Sequence, residues 1–297
     1  MIRLTIFTPT YNRKKELSKL YDSLQKQSDT RFKWLIVDDG SKDGTEDIIK
    51  EFKKDSRFDI IYTYQKNSGK YIAHNKGAEL CDTEYFICID SDDVLEENAV
   101  ETIYHYMSKM QEKSIGIIFP RKSKENMKND GWNEIKRFID IIDLKYIYKI
   151  KGETSILIKT KYLREETFPV IENEKFMSEE ILYQKLAKHG KLEFVNVPIC
   201  QFEYKDDGLT RNLFINWSNS FNASILLFKS RYEILNKYKF NIRVINRIKA
   251  IINLNALCIN NKKKIFDYTP SKLYSIIFFI PAVLWKEMKY GKNRWSS

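Results

Sequence analysis

Along the first half of the chain, short apolar runs alternate with longer stretches whose apolar residues recur every three or four positions. Leu4-Thr5-Ile6-Phe7 reads as a strand ending at Pro9. Lys14–Gln27 reads as a helix with Leu17, Leu20, Tyr21 and Leu24 on one side. The pattern then repeats: strands are expected over Phe32–Val37, Ile60–Tyr64, Tyr85–Ile89 and Ile115–Phe119, and helices over Thr45–Phe52, Lys70–Leu80 and Leu95–Met110. Strand and helix in alternation, joined by short links, predict an α/β domain with a parallel sheet covered on both faces. In such sheets ligands bind beyond the carboxyl ends of the strands. Three polar clusters follow strand ends here: Thr8-Pro9-Thr10-Tyr11-Asn12, Asp38-Asp39-Gly40-Ser41 and Asp90-Ser91-Asp92-Asp93. Their convergence on one edge predicts a site.

The second half keeps the alternation less strictly. Gly152–Lys159 and Leu192–Val197 are expected strands, Phe168-Pro169 a turn, and Glu179–His189 a helix ended by Gly190. From about Arg211 the period is helical, over Ser218–Asn236, Phe240–Asn260 and Ser271–Tyr290. No internal repeat or low-complexity linker is present.

Charge adds a second theme. The 297 residues, 43% hydrophobic and 31% charged, suffice for a large core. A formal charge of +11 points to an anionic partner such as nucleic acid, phosphate or a membrane surface. The excess is confined to one end. Tyr204–Ser297 holds 17 basic and 5 acidic residues, a net of +12, whereas residues 1–203 sum to −1. The four cysteines, Cys81, Cys88, Cys200 and Cys258, form no CxxC pair. That argues against a structural zinc site or a disulfide framework, and for a reducing compartment. The first apolar run is too short for a signal-peptide core. The longest, Ile276–Trp285, is interrupted by Pro281 and falls short of the ~20 residues of a spanning helix.

The clusters carry the candidate chemistry. Asp90, Asp92 and Asp93 repel one another unless a cation offsets them, and hard divalent cations choose oxygen ligands. A helix cap needs only one Asp, so three favour a metal over a cap. Asp38-Asp39-Gly40 is equally consistent with a turn and with a carboxylate presented to a base or ribose edge. Thr8-Pro9-Thr10-Tyr11-Asn12 has the same two readings, since Tyr11 could stack on a base. In Asn67-Ser68-Gly69-Lys70, Gly69 permits close backbone approach and Lys70 can meet phosphate at a helix start. There is no GxGxxG, GxxxxGK[ST] or GxSxG, so phosphate must be handled by something other than a glycine cradle.

The order Thr8-Pro9-Thr10-Tyr11-Asn12, Val37-Asp38-Asp39-Gly40-Ser41, Asn67-Ser68-Gly69-Lys70 with Ala73-His74-Asn75-Lys76-Gly77, and Ile89-Asp90-Ser91-Asp92-Asp93 resembles family 2 glycosyltransferases over roughly residues 1–120. A weaker likeness continues through Gly152-Glu153-Thr154, Phe168-Pro169, the stretch Glu174–Glu180, Glu203-Tyr204 and Asp207-Gly208-Leu209-Thr210. It is similar to bacterial members that build capsule and other cell-surface polysaccharides. The resemblance implies a GT-A fold, Rossmann-like with a mainly parallel central sheet, over residues 1–210. The nucleotide-sugar half would lie at about 1–120 and the acceptor half at about 121–210, followed by a basic, mostly helical region over 211–297. It implies a nucleotide-sugar donor, UDP by family habit, a glycan or lipid-linked acceptor, and Mn²⁺ or Mg²⁺.

The resemblance also implies residue roles. Thr8, Pro9 and Tyr11 would line the nucleoside pocket, with Asp39 at the base edge and Asp38 beside it. Asp90-Ser91-Asp92 would be the DxD motif, Asp90 toward the ribose and Asp92 on the metal, with Asp90 and Asp93 as further candidate ligands. Lys70 and Asn75, with Asn67 and Gly69 beside them, would lie near the diphosphate or sugar. One displacement would invert the anomeric centre, with a carboxylate taking the acceptor proton. Family members usually carry that base in a Glu-Asp pair opening a helix; the counterpart here is Glu179-Glu180, a departure, with Glu179 in the first position. The other reading is two acids stabilised by the first turn of a helix.

In the last third, apolar and aromatic residues beside Lys262, Lys263, Lys264, Lys272, Lys286 and Lys289 suit an anionic membrane interface. The other readings are a helical subdomain with solvated lysines, or an oligomer interface. The expected place is the cytoplasm, peripheral on the inner face of the plasma membrane. Two alternatives explain less: a nucleic-acid-binding protein using the basic region, and a catalytically inactive membrane-bound scaffold. The first leaves the acidic clusters without a role and lacks the aromatic–basic motifs of RNA modules, so no nucleic-acid partner is expected.

Overall fold

The alternating first half folds into strands β1 (Leu4–Thr10), β2 (Phe32–Asp38), β3 (Asp59–Tyr64) and β4 (Tyr85–Cys88). They are linked by helices α1 (Lys14–Gln25), α2 (Thr45–Asp55) and α3 (Lys70–Leu80). This is a computed structural model, and it describes residues 1–123, 132–150, 152–202 and 212–291. β1 pairs in parallel with β2 and β4, and β2 with β3, so these four strands end on one edge. There follow β5 (Val94–Leu95), α4 (Ala99–Lys109), β6 (Gly116–Ser123), β7 (Phe138–Ile139), α5 (Asp143–Tyr146) and β8 (Thr154–Lys159). Then come α6 (Thr160–Glu165), α7 (Glu180–Leu186), β9 (Leu192–Phe194) and β10 (Cys200–Phe202).

The strand order is β3-β2-β1-β4-β8-β6-β10-β5, with β9 on β6 and β7 on β9. β8 runs antiparallel between β4 and β6. β6 therefore keeps the direction of β4, and its carboxyl end reaches the same edge as the first four strands. The α/β architecture with a C-terminal helical region is the one expected. The reversal at β8 is not, because apolar spacing marks a strand without giving its direction.

Residues Met1–Pro169 and Leu182–Tyr204 form one compact unit, and Val170–Ile181 with Lys205–Ser297 a second. The boundary expected at 210 lies outside the described residues.

In the first unit, Leu17, Leu20 and Leu24 of α1 close over Phe32, Trp34 and Ile36 of β2, all with no exposed surface. Each such side chain contributes roughly 1.5–3 kcal/mol on burial, so the strand–helix body holds the loops in place. Gly77 of α3 lies where a Cβ would overlap the Phe7 ring, so α3 sits close on β1 and carries Lys70 to the strand-end edge. Helix α4 starts four residues later than expected. Val94–Leu95 instead pairs with β10, the Leu95 amide donates to Ser23 Oγ (3.2 Å), and the Glu96 amide to the Ile199 carbonyl (3.0 Å).

The second unit carries α8 (Leu213–Asn219), α9 (Phe221–Ile234), α10 (Phe240–Asn260), α11 (Lys272–Ile277) and α12 (Phe279–Tyr290). The single helix expected over Ser218–Asn236 breaks at Ser220. The cause is a cap: Glu174 accepts from the Asn222 amide (2.7 Å) and the Ala223 amide (2.7 Å), two donors a new helix start leaves unpaired. The helix expected over Ser271–Tyr290 divides at Phe278. Ala250, Ile251, Leu254 and Leu257 of α10 are buried with Phe228 of α9. Among the described residues no helix is long and apolar enough to cross a membrane.

Candidate active site

Loops at the carboxyl edge of the sheet are tied to one another by short hydrogen bonds. Asn12 adopts φ +51°; its amide donates to Ser41 Oγ (2.8 Å) and its side-chain oxygen accepts from the Lys42 amide (2.8 Å). Asp38 is buried. It accepts from the Ser41 amide (2.7 Å) and the Tyr62 hydroxyl (3.1 Å), and burial together with Asp38 pushes the Tyr62 phenol upward. Asp39, also buried, accepts from Gln65 Nε2, the Ser68 amide and the Gly69 amide, each at 2.8 Å. Gly40, at φ +93°, leaves room for this loop: a Cβ there would stand 2.8 Å from the Asn67 nitrogen. The Asp-Asp-Gly turn is thus a buttress as well as a turn, holding the loops after β2 and β3 together.

Other candidates separate by exposure. Thr8 is fully buried and accepts from the Trp34 indole (3.0 Å), so its hydroxyl is engaged in the core. Pro9 is buried too, whereas Tyr11 presents about half its surface (49%) at the end of β1. The Thr10 hydroxyl beside them is buried with no hydrogen-bond partner among the described residues, a polar atom a bound group could satisfy. Asn75 makes a two-way pair with Phe168, donating to its carbonyl and accepting from its amide, both at 2.9 Å. The Phe168 ring meets the His74 ring edge-on at 5.4 Å. Asn75 therefore anchors the Phe168-Pro169 turn. Asn67 is half-buried, and Gly69, at φ +103°, starts α3.

The acidic turn after β4 is where charge concentrates. The Asp93 amide donates to the Asp90 carbonyl (3.1 Å) and the Asp90 amide to Asp93 Oδ2 (3.3 Å). Lys70 Nζ stands 2.7 Å from Asp90 Oδ1, and Arg121 Nη1 lies 2.6 Å from Asp93 Oδ2 and 3.6 Å from Asp90 Oδ2. Arg121 Nε also donates to Ser155 Oγ (3.0 Å), at the amino end of β8. Burial alone would raise Asp90, but Lys70 and Arg121 outweigh it and hold the carboxyl down to about 2. Burial pushes the Asp93 carboxyl upward, with Arg121 opposing the rise and Asp90 and Asp92 adding to it. Asp92 is half-exposed, and among the described residues no hydrogen bond or ion pair reaches its carboxylate. Ser91 between them is buried.

Arg121 is the residue sequence reasoning passed over. Its signal was a cation directly after the apolar run Ile117-Ile118-Phe119-Pro120, at a strand end facing an acidic turn. In the second unit, Glu180 is held by Arg231, with Nε and Nη2 at 2.9 and 2.6 Å from Oε2, while Glu179 is exposed just before α7. Glu203-Tyr204 and Asp207-Gly208-Leu209-Thr210 lie outside the described residues.

Residues 5–166, carrying all four strand-end loops, match the family described as glycosyl transferase family 2. The chain belongs to that family. It is 33% identical over 105 residues to a putative teichuronic acid biosynthesis glycosyltransferase, TuaG, of Bacillus subtilis, covering 35% of this chain and 41% of that protein. It is 33% identical over 111 residues to the poly(ribitol-phosphate) beta-N-acetylglucosaminyltransferase TarP of Staphylococcus aureus, covering 36% of this chain and 33% of that protein. The match thus spans under half the length of either relative. The fold is similar to that of S. aureus TarS 1-349 in complex with UDP-GlcNAc, with TM-score 0.60, 15% identity, and coverage of 97% of this chain and 89% of that one. It is also similar to the mannosyltransferase PcManGT from Pyrobaculum calidifontis in complex with GDP-Man and Mn²⁺ (TM-score 0.55, 14% identity, 99% and 88% covered).

A divalent cation at this family 2 site would be held by few protein groups. Among the described residues, no group of three or more His, Cys, Asp and Glu could enclose an ion. Asp90 and Asp93 already face Lys70 and Arg121, which leaves Asp92 as the carboxylate for a metal. One carboxylate completed by substrate phosphate and water is the usual environment of Mg²⁺ in phosphate chemistry.

Proposed function

We propose that this chain transfers a sugar from a nucleotide-sugar donor to a glycan or lipid-linked acceptor in cell-surface polysaccharide synthesis, with inversion at the anomeric carbon. The observation that carries the reading is the acidic turn. Three carboxylates gather at two cations, and among the described residues the carboxylate that no hydrogen bond or ion pair reaches is the middle one, Asp92. Family membership and the names of the relatives support a surface-polymer acceptor, and the TarS likeness supports a UDP-sugar donor.

In this reading Tyr11 stacks on the base. Asp38 and Asp39 act as positioning residues that hold the loops after β2 and β3, and Asp90 accepts from the ribose. Lys70 and Arg121 turn toward the diphosphate as negative charge gathers on it. Asp92 would hold Mn²⁺ or Mg²⁺, which would supply positive charge to the leaving nucleoside diphosphate. Glu179 takes the acceptor hydroxyl proton as that oxygen attacks the face opposite the leaving group. Glu179 holds the first position of the pair, where family members carry their Glu, and Glu180 is bound to Arg231.

The test is release of UDP from a panel of UDP-sugars with Mn²⁺, using the full chain and Asp92→Ala. Loss on the order of a hundredfold is expected in the variant. Undiminished turnover would overturn the assignment.

A further inference from the structure

The outer side of α11 and α12 is inverted. In a helix lying against water, large apolar residues turn inward and polar ones outward. Here Ser275 (2% exposed) and Ala282 (0%) are inside. Leu273 (65%), Ile276 (62%), Ile277 (56%), Ile280 (71%), Leu284 (61%) and Met288 (58%) are outside. Spacing by three and four residues puts Leu273, Ile276 and Ile277 on one side of α11, and Ile280, Leu284 and Met288 on one side of α12. Hydrogen bonds fix the rotation. Asn255, fully buried on α10, donates to the Ser275 carbonyl (3.0 Å) and accepts from the Ser275 hydroxyl (3.0 Å). The Trp285 indole donates to Asn253 Oδ1 (3.0 Å). Turning the helices to bury the stripe would orphan these groups, which is costly at a buried Asn.

Charge indicates what covers the stripe. Lys272 and Lys289 are exposed at its two ends, and Lys262, Lys263 and Lys264 are exposed just before it. Between Lys272 and Tyr290 the one acid is Glu287, paired with Lys286 at 2.7 Å. A second copy of the chain would set two such basic surfaces face to face, and like charges oppose that contact. An anionic bilayer suits both features: apolar side chains enter the acyl boundary while lysine heads stay among the headgroups. With no spanning helix among the described residues, the contact is interfacial.

We propose that α11 and α12 dock this protein on an anionic lipid surface through the Leu273–Met288 stripe and its flanking lysines. The proposal stands apart from the transferase reading. It is tested by co-sedimentation of the full chain with vesicles of phosphatidylcholine alone or with about one-third phosphatidylglycerol. Binding at least about tenfold tighter to the anionic vesicles is expected, weakening as salt rises. Ile280→Asp with Leu284→Asp should abolish it, and Lys272→Glu with Lys289→Glu should weaken it by about tenfold or more. Ile280 and Leu284 are open to solvent, so an unchanged thermal midpoint accompanies their loss of binding, whereas Lys289 also lies over the Trp285 ring at 5.0 Å and its variant is compared at matched folded fraction. Equal binding to neutral vesicles, or undiminished binding by Ile280→Asp with Leu284→Asp, overturns the proposal. So does a concentration-dependent dimer that those substitutions disperse in a chain that ignores vesicles. UDP-sugar hydrolysis without vesicles reads the other hypothesis separately and should be the same in these variants.

Discussion

The strand-end edge of the first unit and the outer face of α11–α12 in the second handle their misplaced groups in opposite ways. At the edge, charge is buried and then matched: Asp93, with 5% of its side chain exposed, meets Arg121, with 11%. On the helical face, apolar groups are left outside while small and polar ones turn in. The first arrangement makes sense within the chain, whose buried charges need partners. The second finds no such match among the described residues, and it is the arrangement that the proposed lipid docking would complete. Buried charge is therefore read from its partners within the chain, and exposed apolar surface from what lies beside it.

Three substitutions sharpen the contrast. Arg121→Met leaves Asp93 buried without its cation and should cost about 3–5 kcal/mol in urea unfolding, part of it restored by adding Asp93→Asn. A cost below about 1 kcal/mol would mean that the edge is not internally matched.

Glu193 carries a smaller effect. It accepts from the Gln111 amide (2.7 Å), Ser114 Oγ (2.9 Å) and Arg137 Nε (3.0 Å). Burial raises its carboxyl, and these donors outweigh burial and hold it below the usual glutamate range. A lowered acid stabilises the fold above its unfolded value, about 4.3, and that stabilisation is lost as pH falls through the folded value. Glu193→Gln should cost about 1–3 kcal/mol at neutral pH, and the gap to the parent chain should close in acid. A gap that is flat with pH would remove the charge from the explanation.

Smallest of all, Ile280→Ser should move stability by no more than about 0.5 kcal/mol, because its side chain meets solvent in the isolated chain. A loss of about 2 kcal/mol would mean that the stripe is packed after all.

Much of this was legible from residue order, and the exceptions share a cause. The first strands and helices follow apolar periods, and the acidic turn after β4 follows from three Asp in four residues. The helix over Phe240–Asn260 falls where its period places it. What was not legible depends on partners far along the chain. The hydrogen bonds from Trp34 to the Thr8 hydroxyl and from Asn75 to Phe168 are of this kind. Asp39 reaches Gly69 across thirty positions, and Arg121 reaches Asp93 across twenty-eight. The break at Ser220 depends on Glu174, forty-eight residues away from Asn222.

By itself, then, the sequence determined the α/β alternation, the edge on which polar clusters collect, the family, and the confinement of basic charge to the last third. These are properties of local period and composition, which a chain carries before it folds. Only the tertiary structure decided that β8 runs backward, that Lys70 and Arg121 stand over Asp90 and Asp93, and which side of α11–α12 faces out. The physical reason is that such pairings are chosen by geometry between distant segments. A helical period marks an apolar stripe in either orientation, and here buried hydrogen bonds at Asn255 fix its direction.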